Sequence, residues 1–175
     1  PDFIPEDVPV AMADISDLKM TIVTNDPTKR YYYTLLFDDK YRVKIATRNI
    51  NIPGVQNFRD LGGYPSYSTK KQMRWGMIYR SSEIDSLECS SRRELKNLGI
   101  RTLIDLRASS EIGRQSPLQK GFNVVHIPLA TGDMEGILKG IREEKIKSDT
   151  VYRMVERMNR ILIDQYTKEY RQIFD

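Results

Sequence analysis

From Ile52 onward the sequence alternates short apolar runs with segments of helical periodicity, set apart by glycine, proline and serine. That punctuation is the pattern of an α/β domain. Trp75 to Arg80 reads as a strand. Ser86 to Leu98 reads as a helix capped by Ser86, with Leu87, Leu95 and Leu98 on the buried side and Gly99 as its stop. Arg101 to Arg107 follows as a strand dense enough in Leu103, Ile104 and Leu106 to be a central one, and Phe122 to Leu129 reads as another. Asp133 to Lys147 can form a helix with Met134, Ile137, Leu138 and Ile141 on one side. Its interior glycines, Gly136 and Gly140, weaken it by about 1 kcal/mol each against alanine, so a mobile helix is expected. Thr150 to Phe174 keeps helical spacing through Val151, Met154, Val155, Met158, Ile161, Leu162 and Tyr166, and reads as one long amphipathic helix.

The first 52 residues differ in composition, being rich in Pro, Asp, Thr and Tyr. Lys19 to Thr24, Arg30 to Phe37 and Tyr41 to Thr47 read as strands, the last two joined through Asp38, Asp39 and Lys40. Tyr41, Val43 and Ile45 alternate with Arg42, Lys44 and Ala46, the period of a strand with one buried face. So thin a sheet needs more strands or a neighbouring surface over its apolar side, as in a partial β-sandwich or an appendage to the next domain. The expected division is therefore a β-rich segment over 1–52 and an α/β domain over 53–175.

Composition removes several chemistries. In 175 residues there is one cysteine, Cys89, and one histidine, His126, so no intramolecular disulfide and no thiolate or imidazole zinc site is expected. His126 lies in an apolar strand and reads as a packing residue, and with no Gly-x-Ser-x-Gly present a serine hydrolase is disfavoured. A nucleotide-binding loop is absent, and no apolar run reaches membrane-spanning length. The net charge of +4 suits a site that receives anions but is too small to argue for nucleic acid, and no nucleic-acid partner is expected. Arg30 to Tyr33 and Tyr41 to Lys44 mix aromatic and basic residues, yet an ordinary hairpin accounts for them better. Cys89 falls in the first turn of a helix, and the residue six positions on is Leu95, not the arginine that a thiolate phosphate loop needs.

Two segments resist explanation by packing. Val55-Gln-Asn-Phe-Arg-Asp-Leu-Gly-Gly-Tyr64 sets Arg59 and Asp60 at the start of a glycine turn. Ile104-Asp-Leu-Arg107 leaves the Asp105 carboxylate in a strand and Arg107 at its C-terminal end, where α/β domains place ligands. The alternative is a structural ion-pair network of Arg59, Asp60, Asp105 and Arg107 closing a sheet edge.

Asn57-Phe-Arg-Asp-Leu-Gly-Gly-Tyr64, Trp75-Gly-Met-Ile-Tyr-Arg-Ser81 and Leu98-Gly-Ile-Arg-Thr-Leu-Ile-Asp-Leu-Arg107, with Glu111 after, together resemble the N-terminal half of the bacterial protein tyrosine/serine phosphatase family. The resemblance covers roughly residues 53 to 175. It implies a phosphatase-like sheet flanked by helices, preceded by the last strands of a sandwich that some exported members carry. A periplasmic or cell-surface location is then favoured over a cytoplasmic one. The family's catalytic loop, His-Cys-x-x-Gly-Lys-Asp-Arg-Thr-Gly, follows a long helix like Thr150 to Phe174 and has no counterpart in these residues.

The resemblance therefore implies part of a cysteine-dependent phosphatase that works through a phosphocysteine intermediate without metal or other cofactor, this chain alone being inactive. Its partners would be a phosphorylated protein or other phosphate monoester and a second polypeptide supplying the loop. In the same reading Asp105 is a candidate general acid and Arg59 and Asp60 buttress the loop. Arg107 orients Asp105 or steers the anion, Arg80 and Ser81 belong to the same wall, and Thr131 to Lys147 forms a mobile lid whose Lys139, Arg142, Lys145 and Lys147 attract substrate or merely face solvent. The competing reading is a catalytically inactive phosphate- or phosphopeptide-binding module.

Overall fold

The computed structural model describes residues 9–24, 29–38, 40–84, 86–109, 111–112, 121–130 and 134–174. Among them the chain is mixed α/β, with four two-stranded sheets and four helices. It groups into one unit of Pro1–Asn51 with Gln56–Ser82, and another of Ile52–Val55 with Glu83–Asp175. No described helix is long and apolar enough to cross a membrane.

In the first unit, β1 (Tyr33–Phe37) and β2 (Tyr41–Ile45) form the expected antiparallel hairpin, Phe37 opposite Tyr41. Its turn places Asp38 at φ 49° and is closed by Lys40 N donating to Phe37 O at 3.0 Å; Asp39 lies outside the described residues. The alternation in β2 does not produce a buried face, for all five of its residues are exposed. The expected strand over Lys19 to Thr24 is not formed either. β propensity gives a stable strand only where a partner edge and an apolar cover exist.

The remaining strands of this unit are short. β3 (Arg59–Asp60) pairs antiparallel with β6 (Tyr79–Arg80), and β4 (Pro65–Ser66) pairs with β5 (Lys71–Gln72). The strand expected over Trp75 to Arg80 shrinks to its last two residues because Gly76 turns the chain at φ 77°.

In the second unit, α1 (Cys89–Asn97) starts three residues after Ser86, behind Glu88, which makes no side-chain cap bond. Leu95 and Ser91 are fully buried, and Ser91 Oγ donates to Pro53 O at 2.7 Å, tying the helix to the Ile52–Val55 turn. Gly99 ends the helix as expected. Its φ is 81°, and the bonds Gly99 N to Lys96 O (2.9 Å) and Ile100 N to Leu95 O (3.2 Å) form a Schellman closure.

β7 (Thr102–Asp105) and β8 (Asn123–His126) then run parallel, Asp105 opposite His126. Among the described residues β7 pairs with β8 alone. The core gathers Ile52, Val55, Leu95, Phe122, Ile127 and Leu129. His126 is not a packing residue: it is exposed, with Nε2 2.8 Å from Arg107 O.

α2 (Met134–Arg142) is shorter than the span expected to Lys147. Glu144 turns back at φ 54°, and Lys145 N and Ile146 N both reach Gly140 O. A Cβ on Gly140 would lie 2.5 Å from Ile146 Cδ1, so the glycine that weakens the helix is what admits its return. The expected long C-terminal helix is two, α3 (Ser148–Gln165) and α4 (Thr167–Phe174), parted at Tyr166. The Tyr166 hydroxyl donates to Ala130 O at 2.8 Å and accepts from Ala130 N at 3.0 Å, which fixes the break from outside the helix.

Candidate functional site

In the first unit the organising group is Asp60. Its side chain is 0% exposed, and both carboxylate oxygens are engaged. Oδ1 accepts from Gly62 N at 2.7 Å; Oδ2 accepts from Gly76 N at 2.9 Å and from Arg30 Nη2 at 2.8 Å. Arg48 Nη1 adds a bond to the Asp60 carbonyl at 2.8 Å and stacks over Tyr64 and Trp75, 4.1 and 5.0 Å from the ring centroids. Gly62 and Gly63 pass directly beneath Trp75, where a Cβ on either would sit 2.4 or 2.5 Å from its atoms.

Tyr79, opposite Asp60 in the ladder, stacks on Phe58 at 5.2 Å. Burial, then its hydrogen bond with Tyr32 and the nearby Asp60 charge, push the Tyr79 phenol well above the usual tyrosine range. The glycine turn is thus a braced structural turn. Arg59 is not the partner of Asp60; Arg30 is. Arg59 lies exposed on the other face of β3, directly opposite the equally exposed Arg80.

In the second unit, Asp105 and Arg107 meet at the end of β7. Arg107 Nε lies 3.1 and 3.2 Å from the two Asp105 oxygens, Nη2 is 2.8 Å from Oδ2, and the Arg107 backbone N–H donates to Oδ1 at 3.0 Å. Glu83 Oε2 stands 3.8 Å from Nη1, and the Arg107 carbonyl receives the His126 ring N–H, so Nε2 carries the proton. Just beyond, Glu111 folds back to accept from Ala108 N at 2.7 Å. The Arg107 hydrogen bonds lower the Asp105 pKa from 3.8, outweighing the burial that would raise it. That direction is opposite to what a general acid requires. Arg107 thus engages both carboxylate oxygens of Asp105 and favours the charged form.

The expected residues are therefore brought together in two pairs, Arg59 with Arg80 and Asp105 with Arg107, each within its own unit. Arg30, Arg48, Glu83 and the carbonyl-bound His126 have roles that spacing along the sequence does not signal. Thr131 to Asp133 of the expected lid lie outside the described residues; Leu138 and Ile141 on α2, expected on its apolar side, are exposed. Cys89 begins α1 and is exposed. No group of three or more His, Cys, Asp or Glu side chains that could hold a metal occurs among the described residues.

A family model described as the tyrosine phosphatase family matches residues 50–175. The triple specificity protein phosphatase PtpB of Mycobacterium tuberculosis (strain ATCC 25618 / H37Rv) is 39% identical over 79 residues, which are 44% of this chain and 27% of that relative. The match thus spans about a quarter of the relative's length.

Proposed function

The chain belongs to the tyrosine phosphatase family, and on that premise we propose that it supplies supporting residues for hydrolysis of phosphate monoesters by a cysteine thiolate that lies outside these 175 residues. In the reaction the thiolate attacks phosphorus, an S–P bond forms as the ester P–O bond breaks, and the leaving oxygen takes a proton from solvent water. Water then cleaves the phosphocysteine and restores the thiolate.

The observation that carries this reading is the Asp105–Arg107 pair at the C-terminal end of a parallel strand. A guanidinium held through Nε and Nη2 by a carboxylate is preorganised, and an anion approaching it need not reorient it. Arg107 is proposed to draw the phosphoryl group, and Asp105 to position Arg107 rather than to protonate the leaving group. Asp60 shapes the glycine turn from within, while Arg59 and Arg80 add positive charge on an exposed face. Cys89 has no part in the chemistry. PtpB is named for triple specificity; by similarity, the substrates proposed here are phosphorylated proteins and related phosphate monoesters.

Phosphate release from p-nitrophenyl phosphate tests the proposal. Protein carrying these residues together with a Cys-x-x-x-x-x-Arg loop should turn over in chelator, lose activity on thiol alkylation and keep it when Cys89 is replaced by serine. Activity that survives replacement of every cysteine removes the thiolate mechanism. A second reading, a phosphate-binding module without turnover, draws on the exposed Arg59–Arg80 pair.

A further inference from the structure

Two antiparallel contacts place three donor residues in one row across the first unit. Leu61 N donates to Ile78 O at 2.9 Å, which fixes the register of β3 and β6 and makes Arg59 and Arg80 a directly opposed pair. On the other side of β3, Asn49 bridges to Arg59. That bridge lies between the bonds Asp60 N to Arg48 O (3.0 Å) and Ile50 N to Phe58 O (3.1 Å). Asn49 and Arg59 are therefore a non-hydrogen-bonded pair, the geometry in which Cα atoms approach to about 4.5 Å and side chains lie closest.

Strand alternation separates two faces. Phe58, Asp60 and Tyr79 occupy the inner one, Phe58 and Asp60 buried and Tyr79 partly so, while Asn49, Arg59 and Arg80 are all exposed on the other. Like charges directly opposite one another destabilise a ladder. Here neither guanidinium has a carboxylate partner among the described residues. The row holds donors and no acceptor charge, and its aromatic neighbours face inward, so it offers no stacking platform for nucleotide bases.

We propose that the Asn49–Arg59–Arg80 row is a binding site for a phosphate dianion. Two forked guanidiniums match its charge and can each give parallel N–H bonds to its oxygens, and the Asn49 amide supplies a further donor. A bound dianion also relieves the Arg59–Arg80 repulsion, so binding and stability are coupled. The inference deepens the part given to Arg59 and Arg80 above, but it needs no thiolate and no turnover, so loss of the hydrolytic reading would leave it standing.

The test is titration of the 175-residue chain with inorganic phosphate, and separately with phenyl phosphate, at constant ionic strength and with acetate as the reference anion. Saturable phosphate binding is expected, weakened about tenfold or more by Arg59→Gln or Arg80→Gln, since each removes a charge-assisted pair. Arg153→Gln, on α3, should bind as the parent does. Arg80→Glu should abolish binding yet raise the melting temperature without phosphate, because it turns a repulsive pair into an attractive one; that variant separates lost binding from lost folding. Equal affinity for both phosphates assigns the site to the phosphate group itself, and tighter phenyl phosphate assigns it to an ester. Phosphate binding no better than acetate, undiminished binding by the Arg59→Gln/Arg80→Gln double variant, or a lower melting temperature for Arg80→Glu would overturn the proposal.

Discussion

Arg30 Nη2 lies 2.8 Å from Asp60 Oδ2, a pair made across 30 positions of sequence with the arginine side chain 9% exposed and the aspartate not at all. The Asp60 carboxylate also terminates the Gly62 and Gly76 N–H groups, so one buried charge joins a β1-proximal segment, the glycine turn and the approach to β6. Removing either partner of such a pair strands the other. Asp60→Ala should cost about 3 to 5 kcal/mol, read as a fall in the urea midpoint. A loss below about 1 kcal/mol would mean that the pair is dispensable.

Gly62 and Gly99 offer a contrast. A Cβ on Gly62 would fall 2.4 Å from Trp75 Cα, whereas a Cβ on Gly99 meets nothing within 4 Å and faces only the strain of φ 81°. Gly62→Ala should therefore displace Trp75, shifting its fluorescence as well as lowering stability. Gly99→Ala should cost about 1 kcal/mol with the Trp75 signal unchanged. Equal spectra for both variants would contradict the close packing.

The Asp105–Arg107 pair makes stability depend on pH with a defined sign. The folded pKa of Asp105 is lowered, so its contribution is complete above the ordinary value of 3.8 and is lost as pH falls through the lower folded value. The stability difference between the parent and Asp105→Asn, followed by urea denaturation, should be constant above about pH 5 and shrink in stronger acid. A difference that widens below pH 3.8 would show that the carboxyl is not held as an anion.

Tyr166→Phe deletes both bonds to Ala130 while keeping the ring. A loss of about 1 to 2 kcal/mol is expected, with faster amide exchange at Ala130. Unchanged exchange there would mean that the break between α3 and α4 has another cause.

Local chemistry was legible in the sequence and distant partnership was not. Gly99 announced the end of α1 because a Schellman closure involves only the residues around it, and Asp105 and Arg107 were found together because two positions separate them. Arg30 could not be matched to Asp60 by any spacing rule. The strand expected at Lys19 to Thr24 had the right residues but pairs with no strand among the described residues, and the continuous helix through Tyr166 is interrupted where Ala130, far back in sequence, takes the tyrosine hydroxyl. The Arg59–Arg80 pairing depends on register, which period-two alternation alone leaves undetermined.

Phosphate release by the recombinant 175-residue chain, set beside that of protein immunoprecipitated from source cells with an antibody to this chain, tests the proposed function most directly. The expected result is no turnover by the recombinant chain and chelator-resistant, alkylation-sensitive turnover by the precipitate. Turnover by the recombinant chain that disappears on Cys89→Ser would contradict it, because these residues would then contain their own nucleophile.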